Sequence, residues 1–508
     1  MRSNLLSEYS LSLSEIATLV GTSDANLERN NLSITGITLD SNDVIQGDLF
    51  VALPGANSHG SKFIDSAVAN GAIAVLTDMS AIITADIPVL RVNEPRLWVG
   101  VIADKFYRNP SSAINVFGIT GTNGKTTTSY LLQQIWDFNN RNSGLIGTIE
   151  TRIGDEIFPN KRTTPEAPEL QSIFAIMRER HNLNVVMEVS SHALSLNRVE
   201  GTKFSVVAFT NLSHDHLDFH KTMENYYQAK SRLFKYGFSE KAIINIDDSW
   251  GKRLFEETEI EKISISTHDQ KANWRIVDSS LADPSSSSKS VVELTIAGPG
   301  GILLSIATPL MGDYNSANVL MALALAVESG IDPLSAANAL SNAKGAPGRM
   351  ESIELGQRFS AVIDYAHTPD AVSAALKAVR GSTKGRIIAV LGCGGDRDAA
   401  KRPLMGQALI SGADLAIFTS DNPRSEDPLS ILKQMHEGMK LTENHFVIVD
   451  RSEAIKFAIE NAVEGDCVLV LGKGHETGQE IKGKITPFDD RVELKNAIRS
   501  AKSTRPAK

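Results

Sequence analysis

The stretch GITGTNGKTTT, Gly118 to Thr128, limits most strongly what this chain can fold into. An apolar run from Ile114 to Ile119 leads into it, and a helical pattern from Thr126 to Phe138 leads out. Strand, glycine turn and helix in that order is the setting of a phosphate-binding loop. Glycine lets successive backbone N–H groups face an anion, and the following helix offers its positive end. Lys125 supplies a point charge for the outer phosphates, and Thr126 or Thr127 a hydroxyl for magnesium. The spacing differs from the common GxxxxGK pattern, which would need glycine where this chain has Ile119; its glycines are Gly118, Gly121 and Gly124.

With 508 residues the chain has room for roughly three domains of ordinary size. The sequence divides into an N-terminal α/β unit at 1–110, a central P-loop unit with a mostly parallel sheet at 111–345, and a Rossmann-like doubly wound unit at 346–508. A net charge of −9 argues against nucleic-acid and anionic-membrane partners. Two cysteines, Cys393 and Cys467, make no disulfide framework and fit a reducing compartment. With no apolar run of about 18 residues and no secretory signal at the start, the expectation is a cytoplasmic protein; a monomer is expected, though these features do not fix the oligomeric state.

In the N-terminal unit, 34–41, 47–55, 72–76 and 88–92 read as strands, and 61–70 and 95–107 as helices. Asp40-Ser41 reads as a strand-end turn. In the central unit, LNVVMEV (183–189) has the length of a buried parallel strand, interrupted by Glu188 near its C-terminal end. A buried carboxylate is costly unless paired or metal-bound, and ligands of open α/β sheets gather at strand C-termini, so Glu188 reads as a magnesium ligand. The next strand, 205–211, runs into NLSHDHLDFH, where His214, His216 and His220 raise zinc. No cysteine lies nearby, and phosphate chemistry favours magnesium with oxygen ligands. Thr163, Thr164 and Pro165 fit a turn capping the following helix. Asn315 and Asn318 open a helical run, as caps or as contacts to a nucleotide base. DSSLADPSSSSKSV (278–291) reads as a polar loop. Lys230, within NYYQAKSRLFK, reads as a solvated residue, and as an ammonium it cannot bind magnesium.

In the third unit, strands at 360–367, 386–395, 414–422, 446–450 and 467–474 alternate with helical patterns. Their C-terminal ends carry Asp364 and His367, then Asp396 and Arg397, then Asp421 to Arg424, then Gly472 to Glu476. Polar clusters at successive strand ends describe a ligand crevice. GCGGDRD lacks the GxGxxG spacing of a dinucleotide site.

The loop variant resembles the ATP loop of the Mur ligase family. MEVSSHAL (187–194), HDHLD (214–218), YYQAK (226–230), GDYNSANVLMALA (312–324), GRME (348–351), DYAHTPD (364–370), DNPR (421–424) and GKGHE (472–476) follow in the family's order over nearly the whole chain. The resemblance implies ATP-dependent amide formation in peptidoglycan precursor synthesis, and through it a part in cell-wall biogenesis, cell shape and cell division. It assigns Gly121, Thr122, Asn123, Gly124, Lys125, Thr126, Thr127, Asn318, Arg349, Asp364 and His367 to ATP. Two magnesium ions would be held by Thr126, Glu188, His216 and Lys230, the last carbamylated by carbon dioxide into a carboxylate-like ligand. Lys125, Glu188, His216 and Lys230 are thereby the catalytic set. Ser41, Thr163, Thr164, Ser190 and Arg198 are assigned to UDP-MurNAc-L-Ala-D-Glu, although Asn42 stands where the family has an arginine and Leu196 where it often has glutamine. Arg397, Asp421, Asn422, Pro423, Arg424, Gly472 and Glu476 are assigned to an incoming diamino acid. DNPR points to meso-diaminopimelate over L-lysine: Arg424 can take the extra carboxylate, lysine would leave Arg424 unpaired, and Glu476 can accept the distal ammonium. A folylpolyglutamate-type synthetase shares the loop but is disfavoured by DNPR and GKGHE.

Overall fold

The computed structural model describes residues 8–22, 32–55, 58–281 and 291–504. Each of three successive stretches of chain builds its own sheet. The first sheet has four parallel strands in the order Gly36–Thr38, Asp48–Ala52, Ala72–Thr77, Val89–Arg91. The strand read at 34–41 ends at Thr38, because Asp40 then closes a turn: its Oδ1 accepts from Asn42 N at 3.0 Å and Asn42 Nδ2 at 3.1 Å. Helix Pro95–Phe106 closes the unit, with proline in its first turn where the missing N–H is harmless.

The second sheet has eleven strands and places the P-loop strand, Asn115–Thr120, near its middle. Parallel neighbours Asn184–Glu188 and Val206–Phe209 flank it, and Ser143–Ile146 and Lys241–Asn245 lie beyond them. Continuous apolar runs such as NVVME are what a strand covered on both faces requires, and all five residues of that strand are buried. Antiparallel hairpins extend both edges. One of them corrects the polar-loop reading: Asp278–Leu281 continues strand Trp274–Leu281 and pairs with Val292–Thr295, because the antiparallel partner satisfies the backbone that a polar sequence leaves open. The remainder of that loop, 282–290, lies outside the described residues.

The third sheet runs Glu351–Ser352, Ser360–Asp364, Cys467–Leu471, Ile387–Cys393, Leu415–Ser420, His445–Val447, parallel except for its first short strand. The chain steps one way from Ser360–Asp364 through Ile387–Cys393 and Leu415–Ser420 to His445–Val447, then returns to insert Cys467–Leu471 between the first two, so their C-terminal ends all lie along one edge, where ligands of such sheets gather. A fully buried Arg451–Asp490 pair at 2.7 Å ties the C-terminal helix to this sheet. Among the described residues no helix is long and apolar enough to cross a membrane.

Candidate functional site

The loop after Asn115–Thr120 turns through Gly121 at φ 147° and Gly124 at φ 88°. A Cβ at Gly121 would fall 1.9 Å from Thr210 Oγ1, and one at Gly124 2.4 Å from Asn318 Oδ1, so both the conformation and the close approach require glycine. Gly118 lies inside the strand and belongs to packing against Phe204, outside the turn. Helix Lys125–Phe138 starts one residue earlier than its pattern indicated, directly on Gly124. The polar segment after Val206–Phe209 buttresses the loop. Asn123 N donates to Asn211 Oδ1 at 2.9 Å, Thr210 Oγ1 donates to Asn123 O at 2.6 Å, and Ser213 N donates to Thr122 Oγ1 at 3.0 Å. Lys125 curls back over its own loop, with Nζ 2.9 Å from the carbonyls of Gly121 and Thr122.

Glu188 is fully buried, and hydroxyl and amide donors hold it. Its carboxylate accepts from Thr126 Oγ1 at 2.9 Å, Thr148 N at 2.8 Å and Thr148 Oγ1 at 3.0 Å. The Thr163-Thr164 turn does not cap the next helix, Ala167–Glu179, whose N-cap is Glu166. Thr164 Oγ1 donates instead to Glu188 O at 2.9 Å and accepts from Ser190 N at 3.0 Å, while Thr163 Oγ1 lies 3.1 Å from Thr148 Oγ1. Arg198 Nη1 reaches Thr164 O at 3.5 Å. Thr163, Thr164, Ser190 and Arg198 thus converge beside Glu188. Ser41 is in the N-terminal unit, where its carbonyl accepts from Asn70 Nδ2 at 2.8 Å.

Lys230 overturns its solvated reading. Helix Met223–Ser231 passes beneath the phosphate loop, and Lys230 is 1% exposed, with Nζ 2.8 Å from Gly121 O and 4.7 Å above the Tyr226 ring. Burial, then the Lys125 charge, push its pKa well below the ordinary lysine value, against a smaller pull from Asp215. His216 stands at φ 54°, its ring 4.9 Å from that of His192. Its pKa falls to about 4, chiefly by burial, with Asp215 opposing and His192, Lys125 and Lys230 adding to the fall. His220 points elsewhere, with Nε2 2.9 Å from Ser191 Oγ. Among the described residues no three His, Cys, Asp or Glu side chains gather as a metal group.

A cavity of about 440 Å3 opens between the central and C-terminal units, lined by Asn123, Gly124, Thr127 and Asn318 on one side and Arg349, Asp364 and His367 on the other. Asn318 Nδ2 donates to Asn315 Oδ1 at 3.2 Å. Asn315 is no helix cap: helix Asp313–Glu328 begins from Gly312, and Asn315 Nδ2 donates to Met311 O at 2.8 Å. Arg349 lies 4.5 Å over the Tyr365 ring. Burial raises the Asp364 pKa and lowers that of His367. Asn245, Asp247, Asp248, Thr267 and His268 line the same cavity and were not singled out. The signal was present, since IINIDD (243–248) is an apolar strand ending in polar residues like those in the third unit.

In the C-terminal crevice, Asn422 Nδ2 donates to Glu476 Oε2 at 2.7 Å. Lys473 was missed by sequence reasoning. Its side chain is 0% exposed, and its three donors go to Asn422 Oδ1 at 3.2 Å, Glu476 Oε2 at 3.0 Å and Gly478 O at 2.7 Å. Both oxygens of Glu476 are engaged, since Tyr365 Oη also donates to Oε1 at 3.4 Å. Arg424 sits at φ 52°, bridged to Ile481 of the hairpin Gly478–Pro487. It is also not without partners: Nη1 donates to Gly395 O at 2.6 Å, and Nε lies 3.6 Å from Glu480. Arg397 is exposed, and its Cγ flanks Gly394 together with Arg424 Nη1. Pro423 follows Asn422 in this loop. Gly472, at φ 109°, donates from N to Asp364 O at 3.1 Å and so joins the crevice to the cavity.

The family models for the Mur ligase family catalytic domain, the Mur ligase middle domain and the Mur ligase glutamate ligase domain match residues 33–107, 119–326 and 348–474. A Streptomyces coelicolor protein named UDP-N-acetylmuramoyl-L-alanyl-D-glutamate--2,6-diaminopimelate ligase is 45% identical over 96% of each chain. A solved structure of a ligase of that name superposes with a TM-score of 0.68 at 33% identity, over 97% of this chain and 99% of the other. A Mycobacterium tuberculosis folylpolyglutamate synthase complexed with ADP superposes with a TM-score of 0.60 at 17% identity, over 75% of this chain and 92% of the other, and shares the fold alone.

Proposed function

The chain belongs to the Mur ligase family of ATP-dependent amide ligases, and from that premise we propose that it joins meso-diaminopimelate to the D-glutamate of UDP-MurNAc-L-Ala-D-Glu. The γ-phosphoryl group of ATP passes to the glutamate side-chain carboxylate, giving an acyl phosphate and ADP. The amine of the diamino acid attacks that carbonyl and phosphate leaves. The observation that carries the reading is the pairing of two clusters across one cavity: the loop over Glu188 and Lys230 on one side, and Asp421–Arg424 with Glu476 beyond the other. No side-chain nucleophile is needed.

Each group has a role in that reaction. Lys125 and the amides of Gly121 to Thr127 hold the transferring phosphoryl group, and Asn318, Arg349, Asp364 and His367 bound the rest of the nucleotide. The donor set around Glu188 suits magnesium: a buried carboxylate beside the Thr126 hydroxyl is hard oxygen chemistry. Glu188, Thr126, His216 and Lys230 as its carbamate would hold two ions, which screen the repulsion between carboxylate and triphosphate. The depressed pKa of Lys230 supports carbamate formation, because carbon dioxide reacts with the neutral amine. The units 1–110, 111–345 and 346–508 then take the uridine nucleotide, ATP and the amino acid, in a cytoplasmic reaction. Closure of the third unit over the cavity excludes water from the acyl phosphate.

Diaminopimelate differs from lysine by a second carboxylate beside the distal ammonium. Arg424 supplies a fixed guanidinium for it, steadied by the Gly395 carbonyl and the hairpin bridge. Since Glu480 and Gly395 already partner Arg424, lysine leaves the guanidinium less exposed to loss than a bare cation would be. Arg424→Ala is expected to cut the preference for diaminopimelate over lysine by roughly a hundredfold. The check is kcat/KM for both amino acids with each protein, and unchanged discrimination in the variant would remove Arg424 from the pocket. DNPR and GKGHE, clamped together by Lys473, also support this reading over a folylpolyglutamate synthetase.

A further inference from the structure

Three guanidiniums converge on one carboxylate where the N-terminal and central units meet. Arg198 Nε lies 2.9 Å from Glu166 Oε1, Arg96 Nη1 lies 3.6 Å from Oε2, and Arg162 Nε lies 4.0 Å from Oε1. They come from separate pieces of chain: Arg96 from helix Pro95–Phe106, Arg162 from the loop before helix Ala167–Glu179, and Arg198 from the turn after helix Ser191–Ser195. Glu166 is the N-cap residue of Ala167–Glu179, onto which Pro95–Phe106 packs.

One acid answers three cations, so this group carries an excess of two positive charges. A staple between the units would need one arginine; gathering three works against their mutual repulsion. That repulsion is visible at Arg198, where burial opposes the charge first, Glu166 supports it, and Arg162 and Arg96 oppose it again. The side chains are 28%, 48% and 13% exposed for Arg96, Arg162 and Arg198, so a ligand can reach them from solvent. Guanidinium forks are matched to the paired oxygens of phosphate and carboxylate.

The position fits a substrate that must also reach the phosphate loop. Arg198 touches Thr164 O, Thr164 Oγ1 touches Glu188 O, and the Glu188 carboxylate touches Thr126. An elongated anion seated on the arginines has its far end directed along that line toward the transferring phosphoryl group. Resting on the reading that the chain takes a UDP-linked dipeptide, we propose that Arg96 and Arg162 join Arg198 in an oxyanion seat for that substrate, holding its diphosphate or a peptide carboxylate. Glu166 is a positioning residue that keeps the three guanidiniums together before the substrate arrives.

The test uses Arg96→Gln, Arg162→Gln and the double variant, each with steady-state kinetics and calorimetric binding of UDP-MurNAc-L-Ala-D-Glu and of UDP alone. Each single change is expected to raise KM for the UDP-linked dipeptide roughly tenfold and the double change roughly a hundredfold. The kcat and the KM for ATP and for the diamino acid stay within about twofold, and Arg96→Lys recovers part of the loss. Weakened UDP binding identifies the diphosphate as the seated group, and loss confined to the full substrate identifies a peptide carboxylate; either supports the seat. A folded double variant with wild-type KM for the UDP-linked dipeptide overturns it, as does a uniform change in all three KM values. An unmodified protein that does not ligate this dipeptide at all counts against the proposed function instead, so the two failures are distinguishable.

Discussion

Lys230→Ala is expected to lower ligation by roughly a thousandfold or more while the protein still folds, an effect that no surface lysine would produce. The structure puts the reason in the packing. Lys230 is buried under the phosphate loop with its amine on the Gly121 carbonyl and the Lys125 charge close by. Both lysine side chains reach that carbonyl, since Lys125 Nζ is also 2.9 Å from it, which leaves Lys230 the one driven toward the neutral amine. Carbamylation of Lys230 would set an anion near the Lys125 charge and add an oxygen ligand under the phosphate loop. Lys230→Met, which keeps most of the volume, separates loss of packing from loss of the amine. Short carboxylic acids are expected to restore part of the activity to Lys230→Ala. A carbonyl-region carbon resonance grown in from labelled bicarbonate should be present in the unmodified protein and absent from the variant. Full activity of Lys230→Ala without additives would show that the residue serves the fold alone.

Lys125→Ala comes next in size, with turnover expected to fall by about three powers of ten, or roughly 4 kcal/mol of transition-state stabilisation. Its ammonium is held on loop carbonyls, within reach of the space where the outer phosphates would lie. Substrate binding through the UDP end should persist, because the residues there belong to other parts of the chain. The measurement is single-turnover acyl-phosphate formation alongside Kd for the UDP-linked dipeptide. Near-wild-type ligation by folded Lys125→Ala would refute the ATP-ligase account of the loop.

The phosphate loop was legible because its signal is local: strand, glycines, lysine and helix lie within about twenty-five residues. Glu188 could be placed because a carboxylate inside an apolar strand has few explanations, and its buried hydroxyl and amide partners now show how its burial is tolerated. Lys230 was illegible from periodicity, since whether helix Met223–Ser231 faces solvent depends on a loop more than a hundred residues upstream. Lys473 was hidden for the same reason: a lysine between glycines carries no sign that Asn422, some fifty residues earlier, will receive it. The three arginines on Glu166 are likewise a product of tertiary packing, spread over sequence from 96 to 198. The Asn315 cap reading failed by three positions, because Gly312 starts the helix earlier than a polar side chain suggests.

The measurement that bears most directly on the central claim is a competition. The protein is incubated with ATP, UDP-MurNAc-L-Ala-D-Glu and equal amounts of meso-diaminopimelate and L-lysine, and the UDP-linked tripeptides are resolved by mass while ADP is counted. The account expects one ADP per amide formed, no ADP release without the UDP-linked dipeptide, and the diaminopimelate product favoured by about a hundredfold in kcat/KM. Equal yields of the lysine product, or ADP released with no tripeptide formed, would contradict it.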